Sequence, residues 1–317
     1  MWKGRECFLE QHNTLEQAAQ NAHLQQGSSV ALGFFDGVHI GHQAVIGGAV
    51  DYARKHGLTP AVFSFRLPLG HTMKGGRLLD ETSKYEYIRQ LGVEHYIEPD
   101  FQSMRDVSPE EFVQKILAGD CGAKAVFCGE SYTFGSKAAG DITLLKQLCQ
   151  PLGIQVVIVP DTLYEGQVVS STRIRTALAK GDIPLVNAML GRPYSIRFPV
   201  LHGQGLGHTL GFPTTNQIYP AGFAQPLYGI YVTKVQIDGV WYPGATGFGT
   251  RPTVNPDGQN PTCETFIPGF QGSLYGDELE LAFYQYLSPS RKFDSLEELR
   301  ACIQNAAEQA VAYFQPK

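Results

Sequence analysis

The sequence predicts an α/β protein with two parts: an N-terminal parallel sheet flanked by helices, then a smaller antiparallel β domain ending in a helix. Three observations carry this. Short apolar runs alternate with helical spacing over the first half of the chain. After about residue 195 the segments become short, aromatic and β-branched, with Gly, Pro, Asn and Asp between them. At 317 residues, the chain is also about twice the common domain size.

The first unit of the alternation is SSVALGF (28–34), an apolar run closed by glycine, followed by HQAVIGGAVDYARKHG, whose helical spacing ends at Gly57. TPAVFSF then precedes a helix near SKYEYIRQLG, VEHYIEP precedes SPEEFVQKILAGD, AKAVFCG precedes DITLLKQLCQPLG, and IQVVIVP closes the series. Ser108, Pro109 and Glu111 predict a capping box with proline at the first helical position. In the second half, RFPVLHG, GIYVTKVQIDGVWYPGATGFG, CETFIPGF and ELELAFYQYL read as strands of an antiparallel barrel or sandwich. The Asp-Gly pair in IDGVW predicts a hairpin. SLEELRACIQNAAEQAVAYF predicts a last helix with its own capping box, Ser295 and Glu298. The joint is placed within 182–194, around GDIPLVNAMLGRPYS, which gives domains 1–185 and 186–317.

Bulk composition limits the function classes. A hydrophobic fraction of 43% with 17% charged residues is ordinary for a globular protein. The net charge of −5, with no run of five like charges, argues against an extended nucleic-acid or anionic-membrane surface but leaves room for a small anionic ligand. No stretch approaches a membrane span, and the N-terminus has no apolar leader core, so a cytoplasmic location is expected. The six cysteines, at 7, 121, 128, 149, 263 and 302, have no paired CxxC spacing and are expected to be reduced thiols.

Two stretches carry chemistry. GFFDGVHIGH (33–42) follows a predicted strand and opens a helix: its glycines Gly33, Gly37 and Gly41 permit a tight turn, and the helix start offers N–H groups to an anion. His39 and His42, three apart, project from one side and are suited to donate to phosphate oxygens. The competing reading has one histidine capping the helix and the other on the surface. SSTRIR (170–175) places Ser171 and Thr172 hydroxyls ahead of Arg173 and Arg175, a set fit for a triphosphate, although a Ser-Ser-Thr run also serves as an N-cap. LGFPTTN follows the glycine-rich loop GQGLGHTLG, in which Gly205 and Gly207 would help backbone N–H groups to surround phosphate. Thr214 and Asn216 offer oxygens of the kind magnesium prefers, against a proline turn capped by Asn as the alternative. Glu264 in CETF supplies a carboxylate suited to act as a base.

The pairing of HxGH with SSTRIR resembles the nucleotidyltransferase superfamily. The full order GFFDGVHIGH, GESYTFG, SSTRIR, LGRPY, LGFPTTN, RPT, CETF, LYGDELEL, KFDSLEEL resembles the bifunctional prokaryotic riboflavin kinase/FAD synthetase family over nearly the whole chain. That resemblance implies a Rossmann-like FMN adenylyltransferase domain and a six-stranded β-barrel riboflavin kinase domain. It implies ATP as co-substrate, Mg2+ as cofactor, and riboflavin, FMN and FAD as substrates or products. By it, Gly33, Phe35, Asp36, Gly37, Gly41, His39, His42, Ser171, Thr172, Arg173 and Arg175 handle nucleotide, Thr214 and Asn216 match the magnesium motif with Thr215 in place of its alanine, and Glu264 matches the catalytic base.

The chain departs from the family pattern at FSFRLPLG, where no histidine stands inside the motif and His71 lies just beyond it. It departs again at Ser131 and Tyr132 of GESYTFG, at Phe198 and in LSPSRKF. The first two departures fall on the flavin side of the N-terminal site. They leave open a kinase with an N-terminal domain that is degenerate or acts on another acceptor. A binding module without turnover is the alternative from outside the enzymes.

Overall fold

The computed structural model describes residues 9–67, 75–201, 214–250, 260–291 and 294–315. The chain forms two compact units, Met1–His71 with Glu81–Ser170, and Thr72–Asp80 with Ser171–Lys317.

The first unit runs β1 (Glu10–His12), α1 (Leu15–Ala19), α2 (Ala22–Gln26), β2 (Ser28–Leu32), α3 (Ile40–His56), β3 (Thr59–Phe63), α4 (Glu81–Gln90), β4 (His95–Ile97), α5 (Phe101–Met104), α6 (Pro109–Glu111), β5 (Ala123–Gly129), α7 (Ile142–Cys149), β6 (Gln155–Val159), and a small hairpin of β7 (Leu163–Tyr164) and β8 (Gln167–Val168). Helix α6 opens with the predicted box, Ser108 Oγ accepting from Glu111 N and Glu111 accepting from Ser108 N, and continues as a wider π-helix over Phe112–Asp120. The main sheet is parallel throughout, in the order β1-β4-β3-β2-β5-β6. All five residues of β2 are buried, as a central strand covered on both faces requires. Helix α3 buries Val45, Ile46, Ala49, Val50 and Ala53, one apolar stripe, and closes on Gly57 in the left-handed region. The chain proceeds from β2 to β3 and β4 on one side, then returns with β5 and β6 on the other. Ligands of open α/β sheets bind at such a reversal, outside the carboxyl ends of the strands.

The second unit holds α8 (Ser171–Ala179), α9 (Ile183–Leu190), β9 (Tyr194–Pro199), β10 (Thr214–Ile218), β11 (Gly229–Ile237), β12 (Val240–Gly249), β13 (Thr262–Phe266), β14 (Glu278–Pro289) and α10 (Leu296–Tyr313). Its six strands pair antiparallel in the order β10-β13-β12-β11-β14-β9. The two outer strands meet: Leu201 N donates to Asn216 O at 2.7 Å, and the buried Gln217 Nε2 donates to Phe198 O at 2.7 Å, so the sheet curls into a barrel and not a sandwich. Tyr194, Ile196, Phe198, Tyr219, Tyr231, Phe248, Leu281 and Phe283 are all buried in this unit. Asp238 and Gly239, both at positive φ, make the predicted β11–β12 hairpin. Helix α10 lays Ala306 and Ala307 over Ala245, with Ile230, Phe266 and Leu287 packed around them. Its box is half formed: Ser295 Oγ accepts from Glu298 N, while Glu298 Oε2 takes the N–H of Asp294.

The contact division falls at Ser170/Ser171, whereas the predicted limit 185/186 falls inside α9. Among the described residues no helix is long and apolar enough to cross a membrane. Cys121, Cys128, Cys149, Cys263 and Cys302 are free thiols; Cys7 lies outside the described residues.

Candidate active sites

The GFFDGVHIGH loop leaves the carboxyl end of β2, beside the reversal of strand order. Gly33 is needed because a Cβ there would lie 2.8 Å from the Phe35 ring. Phe35, Gly37 and Val38 all take positive φ, and two of them are not glycine, so backbone strain is concentrated in this loop. Asp36 and His39 are buried. His39 is the N-cap of α3, its Nδ1 accepting the N–H of His42 at 3.2 Å. That acceptance fixes the neutral tautomer and leaves Nε2 as the ring's donor. The two imidazoles stack with centroids 3.5 Å apart, and Phe35 meets His42 edge-on at 5.3 Å. Gly41 makes this possible: a Cβ there would stand 3.2 Å from two atoms of the His39 ring. The structure shows the capping half of the competing reading. His39 caps the helix, and the same cap pins it against its partner in a fixed orientation.

Beneath the loop lies a group of residues that motif reading did not find. Lys84 on α4 is buried, its Nζ 3.1 Å from Oε1 of the buried Glu98, and Tyr85 and Tyr96 hydroxyls donate to the same carboxylate at 2.8 Å each. Lys84 Nζ also sits 5.0 Å from the centre of the Phe34 ring. Burial, reinforced by the Glu98 charge, raises both tyrosine hydroxyls, so both stay protonated donors. The i, i+4 relation of Lys84 to the buried Ile88 is the one signal in the sequence that places this lysine on the inward face.

Around GESYTFG, Ser131 is exposed, whereas Tyr132 packs against the core, stacked on Phe134 with centroids 6.0 Å apart. The SSTRIR residues open α8 in the second unit: Ser171 and Thr172 form its first turn, Arg173 is half-buried, and Arg175 Nε donates to Gly76 O at 2.6 Å. That bond gives Arg175 a structural engagement that the motif alone does not reveal.

In the barrel, Thr214, Asn216 and Glu264 share one face of one ladder. β10 pairs with β13 so that Asn216 stands directly opposite Glu264, and Thr214, two residues from Asn216, stands opposite Phe266. The sequence alternative of an Asn-capped turn is therefore replaced by a strand. Gly247 of β12 flanks Glu264 on its other side, where a Cβ would meet nothing within 4 Å, and Oε1 of the Glu264 carboxylate is buried. The opposite face is locked by hydroxyls. Thr233, Thr246 and Thr265, all buried, are linked by two 2.8 Å hydrogen bonds, which hold the register of β11, β12 and β13. Hydroxyl, amide and carboxylate oxygens make a hard donor set, which fits Mg2+. Phe198 is buried and fills the interior edge-on to Tyr219. Gly205 and Gly207 of the glycine-rich loop, the RPT motif, Lys292 and Phe293 of KF, and His71 lie outside the described residues.

The comparisons with known proteins follow the same division. The family model described as FAD synthetase matches residues 21–173, and the one described as Riboflavin kinase matches residues 190–314. The bifunctional riboflavin kinase/FMN adenylyltransferase of Bacillus subtilis is 32% identical over 92% of this chain and 93% of its own. Those of Pseudomonas fluorescens and Escherichia coli K12 are 35% and 32% identical, each over 88% of this chain and 90% of its own. The crystal structure of a macrolide-efflux protein from Streptococcus pneumoniae superposes with a TM-score of 0.84 at 26% identity, covering 97% of this chain and all of that one. With two matched regions and relatives of one kind along nearly its whole length, the chain belongs to the bifunctional riboflavin kinase/FMN adenylyltransferase family.

Proposed function

We propose that the chain makes FAD in two ATP-dependent steps. The C-terminal part, 186–317, transfers the γ-phosphoryl group of ATP to the 5′-hydroxyl of riboflavin. The N-terminal part, 1–185, then joins AMP from a second ATP to the phosphate of FMN, releasing pyrophosphate. The observation that carries this reading is the cross-strand placement of Asn216 against Glu264, with Thr214 on the same face.

In the kinase step Glu264 accepts the proton of the attacking hydroxyl, which leaves an alkoxide-like oxygen to bond to the γ-phosphorus while the bond to ADP breaks. Thr214 and Asn216 would hold Mg2+, which when bound neutralises phosphate charge. In the adenylyl step His39, fixed by its cap, and His42 donate to phosphate oxygens as charge builds on them. The left-handed turn at Phe35 and Gly37 and the start of α3 would offer their remaining backbone N–H groups to the nucleotide. Ser171, Thr172, Arg173 and Arg175 hold the departing pyrophosphate, Arg175 through the guanidinium atoms other than the Nε bound to Gly76. The match of both regions favours two activities over a kinase alone. The partners are small molecules, without nucleic acid or membrane, and the setting is cytoplasmic.

Incubation with riboflavin, ATP and Mg2+, followed by chromatography, tests the reading: FMN appears first and FAD after it. Production of FMN without FAD would reduce the chain to a single-activity kinase.

A further inference from the structure

At the edge of the first unit's sheet, separated from β2 by β3, three potential metal ligands face one another. Glu10 and His12 are two apart on β1 and so share a face, and the parallel register sets Glu10 beside His95 of β4. His12 is 3% and His95 4% exposed, yet His12 Nε2 stands 3.0 Å from His95 Nδ1. The Glu10 carboxylate closes the triangle, at 4.0 Å from the first nitrogen and 3.6 Å from the second.

We propose that Glu10, His12 and His95 form a binding site for one divalent cation of the zinc class, independent of the two transfer reactions. Zinc–nitrogen bonds of about 2.0–2.1 Å in a tetrahedron set neighbouring ligand atoms about 3.3 Å apart. The two nitrogens need to open by a few tenths of an ångström, and the half-exposed Glu10 side chain closes the remaining gap. The carboxylate is held in place from behind. Asn21 Nδ2 donates to both of its oxygens, at 3.2 and 3.1 Å, while Asn21 Oδ1 accepts from His23 N and Leu24 N, which fixes the amide itself. Such outer partners orient ligands at metal centres. His23 lies beyond, its ring centre 6.4 Å from that of His95, so the fourth position is left to water or to this third imidazole.

Two imidazoles and one carboxylate select a borderline transition metal over magnesium or calcium. In the metal-free chain one of the two facing nitrogens carries a proton. On binding, that ring takes its other tautomer by exchange with solvent, and both lone pairs turn to the metal with no net change in charge on the rings. The bound ion ties β1 to β4.

The probe is Co2+, added to full-length protein stripped with chelator, with visible d–d absorbance and Zn2+ competition as readouts. One equivalent should give the intense bands of a four-coordinate site and be displaced by Zn2+. Asn21→Ala should weaken binding about 10–100-fold, and Glu10→Gln at least tenfold, with FMN and FAD formation unchanged. Glu10 is on the surface, so its variant tests the site without threatening the fold. No Co2+ signal, or a signal unchanged in both Glu10→Gln and His95→Gln, overturns the proposal.

Discussion

Glu98→Gln tests whether the buried cluster beneath the GFFDG loop holds that loop in place. The wild-type carboxylate accepts from Lys84, Tyr85 and Tyr96 at 2.8–3.1 Å in a site that is 1% exposed. The amide keeps one acceptor oxygen for three donors, turns an N–H2 toward the rest, and removes the only full negative charge within 3.5 Å of Lys84 Nζ among the described residues. Uncompensated burial of one member of an ion pair costs about 3–5 kcal/mol. At about 2–4 °C per kcal/mol for a unit of this size, the melting transition of the first unit falls by about 6–20 °C. Because Phe34 rests on Lys84, FAD formation from supplied FMN should fall at temperatures where the protein is still folded. The double variant Lys84→Met with Glu98→Gln removes the unpaired ammonium while keeping an acceptor for the two tyrosine hydroxyls, and should recover much of the lost stability. Calorimetry, with hydrogen exchange at the β4 amides to identify the transition, is the assay. An unchanged melting temperature in Glu98→Gln, or a double variant no more stable than the single one, refutes the reasoning.

Gly41→Ala should push His39 off its cap, lower stability by about 1 kcal/mol and suppress FAD formation while FMN formation continues, as read by product chromatography and a denaturant titration. Asn216→Ala should raise the Mg2+ concentration needed for half-maximal FMN formation and leave adenylylation of supplied FMN unaffected; a metal titration of both rates checks this. Burial pushes the Cys128 and Cys149 thiols up to about 11 from an ordinary 9.0. They should resist alkylation at pH 8 in the native chain and react once it unfolds. Since the native state keeps protons that the unfolded chain loses, the stability of the first unit should decline as pH rises from about 9 to about 11, measured by urea midpoints across that range.

The alternating grammar of the first unit was legible because helix and strand periods differ and each segment has an apolar face. SSVAL, TPAVF and AKAVFCG supply buried strands, and capping residues mark helix starts. The edge strand β1 was not, because EQH has no apolar alternation: its one buried side chain is a histidine satisfied across the sheet by His95. Strand β10 was hidden for a related reason. TTNQI buries a threonine and a glutamine, whose inward placement rests on bonds to Thr265, Phe198 and Leu279, partners remote in sequence. Glu98 and Lys84 belong to no local motif; the fold brings two tyrosine hydroxyls and the lysine to one buried carboxylate. The GFFDGVHIGH segment was legible as a motif, since glycine turns and paired histidines are local. The opposition of Asn216 to Glu264 was not, because it depends on strand register across the 47 positions between them.

The most direct measurement is the flavin product profile of Glu264→Gln beside wild type, with riboflavin or FMN supplied in turn. The account predicts that wild type converts riboflavin to FMN and then FAD. The variant should form FMN about 10² to 10⁴ times more slowly, yet still convert supplied FMN to FAD at the wild-type rate. A variant that phosphorylates riboflavin at full speed, or a wild-type chain that never yields FAD, contradicts it.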